Sequence, residues 1–238
     1  MNTKVALVTG AGKRIGRAVA LRLARDGCDV IVHYRSSEAE AQAVVAEIER
    51  MGRRAVALGA DLNRVEEIRG VFAAVKENFG RLDVLVNSAA NFTHTEFAST
   101  SEQVWDESLD TNLKAVFFCC QAAAPLLKVS RGAIVNFADI GGILGWPRYI
   151  PHCVSKAGVI MLTRSLAKEL APEVRVNAIA PGTITMAGDP AEWEADFIRR
   201  APLHRSGTTD DVAGAVSYLM SAAFVTGQIL VVDGGRTL

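Results

Sequence analysis

Short, mainly apolar runs alternate with helix-forming segments along almost the whole chain, and this alternation restricts the fold more than any other feature. The runs lie at residues 4–9, 30–32, 55–58, 84–86, 133–137, 174–179 and 229–233. Runs of this kind are typical of parallel strands buried on both faces. Strands that alternate with helices in this way predict an α/β fold with a doubly wound parallel sheet of the Rossmann type.

The segments between these runs carry the periodicity of helices. After the first run, Ile15, Val19 and Leu23 recur at four-residue spacing, and Gly27 stands where a left-handed helix end is common. Further helices are predicted at residues 37–51, 65–79, 101–127, 151–170 and 210–220. The segment 101–127 is expected to be a single long helix.

No internal repeat, linker or block of charge divides the 238 residues, so residues 1–238 are predicted to form a single domain. The least regular segment is 181–205, which includes Trp193 and Phe197. Long irregular connections are often functional, so we interpret 181–205 as a substrate lid within the domain. The pattern is equally compatible with a mobile surface loop.

Composition excludes several classes of protein. Half of the residues are hydrophobic, and 26 basic residues balance 26 acidic ones, so no bulk charge attracts nucleic acid or an anionic membrane. The four cysteines include no C-x-x-C pair, so neither a metal site nor a disulfide framework is predicted. No uninterrupted apolar run approaches the roughly 18 residues that cross a bilayer. We therefore expect a cytoplasmic protein that acts on a small molecule.

A glycine-rich turn, Thr9–Gly16, joins the first predicted strand to the first helix. Glycines in such a turn let a phosphate approach the backbone, and the N-terminus of the following helix offers free N–H groups to the anion. Because a strand precedes the turn and a helix follows it, the glycines indicate a nucleotide-binding site rather than an ordinary strand-to-helix turn. The sequence therefore predicts that a dinucleotide binds here.

The end of the second strand predicts which dinucleotide binds. NAD sites usually place an acidic residue there to hold the ribose 2′-hydroxyl, whereas this chain reads His33, Tyr34, Arg35, Ser36. Arg35, with Lys13 and Arg14 of the first turn, can neutralise a 2′-phosphate, and one such charged contact contributes about 1.5–3 kcal/mol. The predicted cofactor is NADPH.

Several short sequence motifs occur along the chain in an order that is characteristic of a known family. They are the turn at 9–16, Asp61-Leu62, the run 87–90, Asn112, Lys156, Pro181-Gly182, and the segments 226–228 and 232–235. Over essentially its full length, the chain closely resembles the short-chain dehydrogenase/reductase family. The resemblance implies an NADP-binding oxidoreductase that forms a homotetramer through its long fourth and fifth helices.

The resemblance also implies roles for individual residues. Asp61 is expected to contact the adenine, Asn87 to steady the central strands, and Asn112 to hold a water in a proton relay. Lys156 is expected to bind the nicotinamide ribose. The full set expected at the cofactor is Gly10, Lys13, Arg14, Ile15, Gly16, His33, Tyr34, Arg35, Ser36, Asp61, Leu62, Asn87, Ser88, Ala89, Lys156, Pro181, Gly182, Thr183 and Ile184.

Two departures from the usual family pattern indicate which branch of the family the chain resembles. Arg14 replaces a glycine, and Asp139 replaces the serine thirteen positions before the position of the catalytic tyrosine. Both departures, and the segment 33–36, are similar to pteridine reductases. Phe92 lies where those enzymes stack a pterin ring, although a phenylalanine after a strand is as often a cover over the core. The expected substrate is an oxidised pterin or another flat carbonyl or imine compound, with a 3-oxoacyl or ketone substrate as the alternative.

The third departure is His152, which stands where the family has its proton-donating tyrosine, four residues before Lys156. An imidazolium can donate a proton, although Lys156 and the helix N-terminus both disfavour its charge. Three interpretations stay open: a reductase in which His152 is the donor with help from Asp139 and Asn112, a chain whose chemistry is impaired, or a non-enzymatic NADP-binding module. Tyr149 lies before Pro151, off the predicted helix, so it is not expected to replace the missing tyrosine.

Overall fold

A single parallel sheet of seven strands forms the centre of the molecule. The computed structural model describes residues 3–186 and 191–238, without the side chains of 191–193. The strand order is β3-β2-β1-β4-β5-β6-β7, and every neighbouring pair is parallel. The predicted doubly wound α/β fold is confirmed. The strands are β1 Val5–Val8, β2 Asp29–Tyr34, β3 Ala55–Gly59, β4 Val84–Asn87, β5 Ala133–Phe137, β6 Arg175–Pro181 and β7 Ile229–Val232.

Helices cover both faces of this sheet. They are α1 Arg14–Arg25, α2 Glu38–Arg50, α3 Val65–Phe79, α4 Glu102–Leu109, α5 Ala115–Ser130, α6 Ile150–Glu169, α7 Ala191–Arg200 and α8 Thr209–Ser221. Strand side chains alternate between two cores: Leu7 and Leu85 face one, whereas Val8 and Val86 face the other. Because both faces of the central strands are buried, these strands are mainly apolar, and the buried polar residues among them, such as Asn87 and Asn136, form hydrogen bonds.

The topology places a crevice beside the carboxyl end of β1. This strand lies between β2 and β4, so the chain winds away from it in both directions. Ligands of open α/β sheets bind at such a switch point. Here the two loops are tied together, because the Oγ1 of Thr9 accepts hydrogen bonds from the backbone N–H of Ser88 at 2.9 Å and of Ala89 at 3.0 Å.

The long helix expected at 101–127 is present as Glu102–Ser130, with one irregular turn inside it. A π-helical turn, Asp110–Lys114, separates α4 from α5 and contains the fully buried Asn112. π-turns inside helices occur frequently at functional sites. Among the described residues, the whole helix Glu102–Ser130 is long enough and on average apolar enough to cross a membrane, although polar residues interrupt its apolar runs and Cys119, Ala123 and Leu127 belong to the core beside the sheet.

The segment 181–205 is more regular than expected. It contains α7, which ends in two basic residues, and Phe197 of this helix packs against Ile140 and Ala201. Residues 187–190 and the side chain of Trp193 lie outside the described part of the chain. A lid role for this segment therefore stays a prediction.

Candidate active site

A cavity of about 910 Å³ opens at the carboxyl ends of the strands. Its walls come from the loops after β1, β2, β3, β4, β5 and β6 and from the start of α6. Most of the expected site residues lie together here: Gly10, Lys13, Arg14, Ile15, Gly16, His33, Arg35, Ser36, Asp61, Leu62, Ser88, Ala89, Phe92, Asp139, His152, Lys156, Pro181, Gly182, Thr183 and Ile184. Tyr34, Asn87 and Asn112 are not among the lining residues.

The glycine turn leaves no room for side chains at two positions. Gly10 has φ of +64°, and a Cβ there would lie 2.9 Å from the Cα of Ala89. A Cβ on Gly16 would lie 2.3 Å from the carbonyl oxygen of Gly10. The backbone therefore borders the cavity directly, as the binding of a pyrophosphate requires. The residues present fit a dinucleotide.

His33 stabilises this turn through hydrogen bonds and carries no charge at neutral pH. Its Nδ1 accepts a hydrogen bond from the backbone N–H of Gly10 at 3.2 Å, and we assign the proton to Nε2, which lies 3.1 Å from the carbonyl oxygen of Ala60. Burial lowers the pKa of His33 from 6.5 to about 4. His33 therefore shapes the phosphate loop and adds no positive charge to it.

His33 gives the stability of the fold a specific pH dependence. Between pH 6.5 and 4 the unfolded chain binds a proton at His33 and the folded protein does not, so acid favours unfolding. We expect this one residue to remove about 3 kcal/mol of unfolding free energy across that window. In His33→Gln, whose amide keeps both hydrogen-bonding roles without titrating, urea denaturation at pH 6.5 and 4.5 is expected to show a smaller loss. An equal loss in both proteins would contradict this assignment.

The adenosine end of the cavity is basic, but its cations are not equally available. Arg35 and Ser36 line the wall at the end of β2. Lys13 forms an ion pair with Glu40 at 2.7 Å, and this hydrogen bond lowers the pKa of Glu40. Arg14 also lines the wall, with a left-handed backbone of φ 51°. The structure therefore brings together the cations predicted to hold a 2′-phosphate.

Two expected cofactor residues take other positions. A Cβ on Gly59 would meet the ring of Tyr34 at 2.9 Å, and the hydroxyl of Tyr34 interacts with Glu38, so this ring borders β3 and α2. Asn87 is buried below the cavity, where its Nδ2 donates to the Oδ1 of Asn136 at 2.9 Å. Asn87 thus links β4 to β5, in agreement with the role of steadying the central strands.

Lys156 is buried and aims at the floor of the cavity. Its Nζ donates a hydrogen bond to the carbonyl oxygen of Phe137 at 2.8 Å, and the residue is 4% exposed. Burial lowers the pKa of Lys156 to about 8, although the Asp139 carboxylate opposes this shift. At neutral pH the ammonium group keeps its proton and has further N–H donors for a ligand hydroxyl.

His152 lies one helical turn before Lys156 on the same face of α6 and is 3% exposed. Its Nδ1 is 3.3 Å from the carbonyl oxygen of Asn91, and we assign the proton to Nδ1 because a carbonyl only accepts. The Nε2 atom lies 3.8 Å from the Oδ2 of Asp139, too far for a hydrogen bond. Among the described residues, this buried Nε2 has no hydrogen-bond partner.

Asn112 reaches His152 through the loop that follows β4. Its Oδ1 accepts from the backbone N–H of Asn91 at 2.8 Å, and its Nδ2 donates to the carbonyl oxygen of Asn91 at 3.1 Å. The same Nδ2 donates to the Oγ of Ser155 at 3.2 Å. Asn112 therefore fixes the carbonyl that orients the imidazole, and its expected role of holding a water stays a prediction.

Aromatic rings form the outer wall beside His152. Phe92 stacks on Tyr149, with 4.5 Å between ring centroids and 13° between planes, and presents an edge contact to His152 at 4.7 Å. Trp146 lies parallel to the imidazole at 6.5 Å. Phe92 is half-exposed and lines the cavity, so it is not a cover over the core. Tyr149 reaches the cavity although it precedes Pro151, which the sequence did not lead us to expect.

Several lining residues were missed by the sequence analysis. They share no periodic signal, and their nearest clue is their position just after a strand or just before a helix. They are Ser37, Ala60, Asn63, Ala90, Asn91, Thr111, Phe137, Ala138, Trp146, Tyr149, Thr185 and Asp196.

Comparison with known sequences places this arrangement in a family. A family model described as enoyl-(acyl carrier protein) reductase matches residues 10–237. The 3-oxoacyl-[acyl-carrier-protein] reductase FabG of Staphylococcus aureus is 42% identical over 240 residues, which cover 98% of both chains. A 3-oxoacyl-[acyl-carrier-protein] reductase of Synechocystis is 38% identical over 243 residues, covering 100% of this chain and 98% of the relative.

Solved structures agree with these sequence matches. A putative short-chain alcohol dehydrogenase from Sinorhizobium meliloti has a TM-score of 0.94 at 37% identity, covering 100% of this chain and 97% of the other. A blue fluorescent protein from a metagenomic library, in complex with NADPH, has a TM-score of 0.94 at 32% identity, covering 100% and 99%. On matches of this extent, the chain belongs to the short-chain dehydrogenase/reductase family.

Proposed function

We propose that this chain is an NADPH-dependent oxidoreductase that reduces a flat carbonyl or imine compound, with an oxidised pterin as the preferred substrate. One observation carries the proposal. The buried, unpartnered Nε2 of His152 borders a cavity that combines a phosphate-binding turn with an aromatic wall. A polar atom left in this state inside a cavity is a candidate contact for a ligand.

The cofactor assignment is supported from two directions. A structural neighbour at 32% identity binds NADPH, and the adenosine end of this cavity contains Arg14 and Arg35 without an acidic residue at the end of β2. The remaining expected cofactor residues that line the cavity would contact the rest of the dinucleotide. When bound, NADPH supplies a hydride to the substrate. Lys156 would bind the ribose hydroxyls through its ammonium group.

His152 would supply the proton that balances this hydride. With its proton on Nδ1, a neutral imidazole turns the lone pair of Nε2 toward the carboxylate of Asp139, 3.8 Å away. Protonation of Nε2 would place a positive charge 3.8 Å from this carboxylate, so the two groups would then form an ion pair. The imidazolium then donates its Nε2 proton to the oxygen or nitrogen of the substrate.

The aromatic wall supports a flat substrate. Phe92 and Tyr149 already lie in parallel planes, and Phe92, Trp146 and His152 surround the outer end of the cavity. Stacking of aromatic rings contributes about 0.5–1.5 kcal/mol beyond the burial of their area. A planar heterocycle could therefore bind against Phe92 with its reducible bond near His152.

A substrate panel tests the proposal. NADPH consumption, followed at 340 nm by its absorbance, is expected with a quinonoid or 7,8-dihydropterin, and kcat/KM is expected to exceed that for a small aliphatic ketone by about tenfold. Phe92→Ala is expected to remove most of this preference, whereas Phe97→Ala, which changes an exposed phenylalanine of the same loop outside the cavity, is expected to keep it. Equal rates for both compounds would contradict the flat-substrate assignment.

A 3-oxoacyl thioester is the second candidate substrate. It is supported by relatives that are 42% and 38% identical over nearly the whole chain and are named as 3-oxoacyl-[acyl-carrier-protein] reductases. The same panel, extended with an acetoacetyl thioester, distinguishes the candidates. Turnover of the thioester alone would assign the cavity to the acyl substrate and leave the roles of Lys156 and His152 unchanged.

Three further expectations remain proposals. Residues 1–238 are taken as one NADP-binding domain, with residues 181–205 as its substrate lid. A cytoplasmic location and a homotetramer follow from the expectations drawn from the sequence. The half-exposed Phe117 of α5 and the neighbouring ring of Phe118 support a subunit contact at this helix.

A further inference from the structure

A second, smaller cavity lies beside the aromatic wall. Its volume is about 400 Å³, and its lining residues are Phe92, His94, Arg148 and Tyr149. Phe92 and Tyr149 also line the main cavity, so two stacked rings form the partition between the two spaces. The edge of Tyr149 continues to His94, with 5.3 Å between ring centroids. Arg148 lines this second space and is not among the residues that line the main cavity.

The main chain holds Arg148 in place at this position. The residue adopts a left-handed backbone, with φ of 69°, which a residue other than glycine rarely takes. Its carbonyl oxygen accepts hydrogen bonds from the backbone N–H of Thr95 at 2.7 Å and from the Oγ1 of Thr95 at 3.5 Å. These contacts join the loop after β4 to the loop before α6. The backbone from which the side chain of Arg148 extends is therefore held in place.

Within the described part of the chain, the guanidinium group of Arg148 has a single, loose partner, Glu96. Its Nε lies 3.6 Å from the Oε1 of Glu96, and the two side chains are 66% and 63% exposed. Exposed ion pairs contribute little to stability because water and salt screen them. A carboxylate or phosphate that reached the cavity could form two parallel hydrogen bonds with the guanidinium and displace Glu96. The small cavity thus offers aromatic walls and one cation.

We propose that this cavity, lined by Arg148, His94, Phe92 and Tyr149, is a subsite for an anionic tail of the substrate. The inference deepens the proposed function: the substrate is a flat ring that carries a substituent ending in a negative group. The ring binds in the main cavity beside His152, the substituent passes the stacked rings, and Arg148 binds the anion. Arg148 is then a specificity-determining residue that takes no part in the chemistry.

The decisive experiment measures binding, so it does not depend on turnover. Isothermal titration calorimetry of the full chain saturated with NADP⁺ would use a pterin with a benzoate-containing tail, the same pterin without the tail, and 4-acetamidobenzoate as the tail alone. In Arg148→Gln, the affinity for both tail-bearing compounds is expected to fall about tenfold or more, as the loss of a charge-assisted contact implies. The affinity for the tailless pterin is expected to stay unchanged.

Arg131→Gln is the matched control, because Arg131 is also exposed and also has a left-handed backbone, with φ of 53°, at the end of α5. It is expected to bind all three compounds as the unchanged protein does. Glu96→Gln, which removes the competing carboxylate, is expected to tighten binding of the tail-bearing compounds. Equal affinities of Arg148→Gln and the unchanged protein for every anion-bearing compound, or no binding of any of these compounds to the unchanged protein, acetoacetyl-phosphopantetheine included, would overturn the subsite.

The outcomes also separate the subsite from the proposed substrate. Arg148-dependent binding of 4-acetamidobenzoate without any binding of the pterins would support the subsite and contradict the pterin assignment. The anion could also be the phosphate of an acyl thioester. Binding of acetoacetyl-phosphopantetheine that weakens in Arg148→Gln, with uncharged acetoacetyl-N-acetylcysteamine unaffected, would support the subsite and identify phosphate as its anion.

Discussion

Replacing His152 with phenylalanine is expected to lower kcat by about 10²- to 10⁴-fold, the range in which a positioned acid contributes to proton transfer. Phenylalanine keeps a planar ring between Phe92 and Trp146 but has no proton to donate. NADPH affinity, measured by fluorescence titration, is expected to stay nearly unchanged, because Lys156 and the glycine turn are untouched. Steady-state kinetics with the best substrate of the panel provides the kcat comparison.

The pH profile tests the charge state of the donor. An imidazolium donor requires kcat to decrease as pH rises and the proton on Nε2 is lost. Asp139→Asn, which removes the carboxylate 3.8 Å from Nε2 and so the counter-charge of the imidazolium, is expected to lower kcat at neutral pH. Burial lowers the pKa of Lys156 to about 8, so a decrease well below that pH does not come from this lysine. A flat profile from pH 5 to 8 would exclude the imidazolium.

His152→Tyr separates the proposal from its main rival. If His152 is the donor that this site is built around, then the tyrosine variant is expected to be slower, because the carbonyl of Asn91 orients an imidazole through its Nδ1. If His152 instead marks a chain with impaired chemistry, restoring the family tyrosine would raise turnover strongly. A failure of NADPH to bind the unchanged protein would contradict both interpretations and the non-enzymatic module as well.

The sheet could be predicted from the sequence because burial on both faces leaves a strong local signal. Residues 84–86 and 133–137 contain the apolar runs that β4 and β5 require, and each strand lies within about one residue of the expected run. The π-turn at Asp110–Lys114 has no such signal. It brings Asn112 to the backbone of Asn91, and a contact between residues 21 apart depends on how helix and sheet pack.

The site could be predicted only where a motif or a resemblance marked a residue. His152, Asp139 and Lys156 were identified in this way, and the structure brings them together. Trp146 and Tyr149 lie in an irregular loop, and their approach to Phe92 follows from the adjacency of β4 and β5 in the sheet. Because the strand order arises from the tertiary fold, no local pattern could have predicted this aromatic wall.

Replacing Arg35 with alanine is expected to raise the KM for NADPH by about ten- to a hundredfold and to leave the KM for NADH nearly unchanged. Arg35 lines the cavity at the end of β2, and the loss of one charged contact to a phosphate costs about 1.5–3 kcal/mol. NADH lacks the 2′-phosphate, so it loses nothing when this cation is removed. Arg14→Ala is likewise expected to raise the KM for NADPH and to leave the KM for NADH nearly unchanged. Both KM values are measured at low ionic strength.

Two further variants make the cofactor prediction specific to the cations of the cavity. Glu40→Gln frees Lys13 from its ion pair, so it is expected to lower the KM for NADPH, whereas Arg50→Ala, an exposed arginine outside the cavity, is expected to change neither KM. Added salt should weaken the preference for NADPH, since exposed charges are screened beyond about 8–10 Å at physiological ionic strength. Equal effects of Arg35→Ala on both cofactors, or tighter binding of NADH to the unchanged protein by calorimetry, would mean that these cations hold no 2′-phosphate.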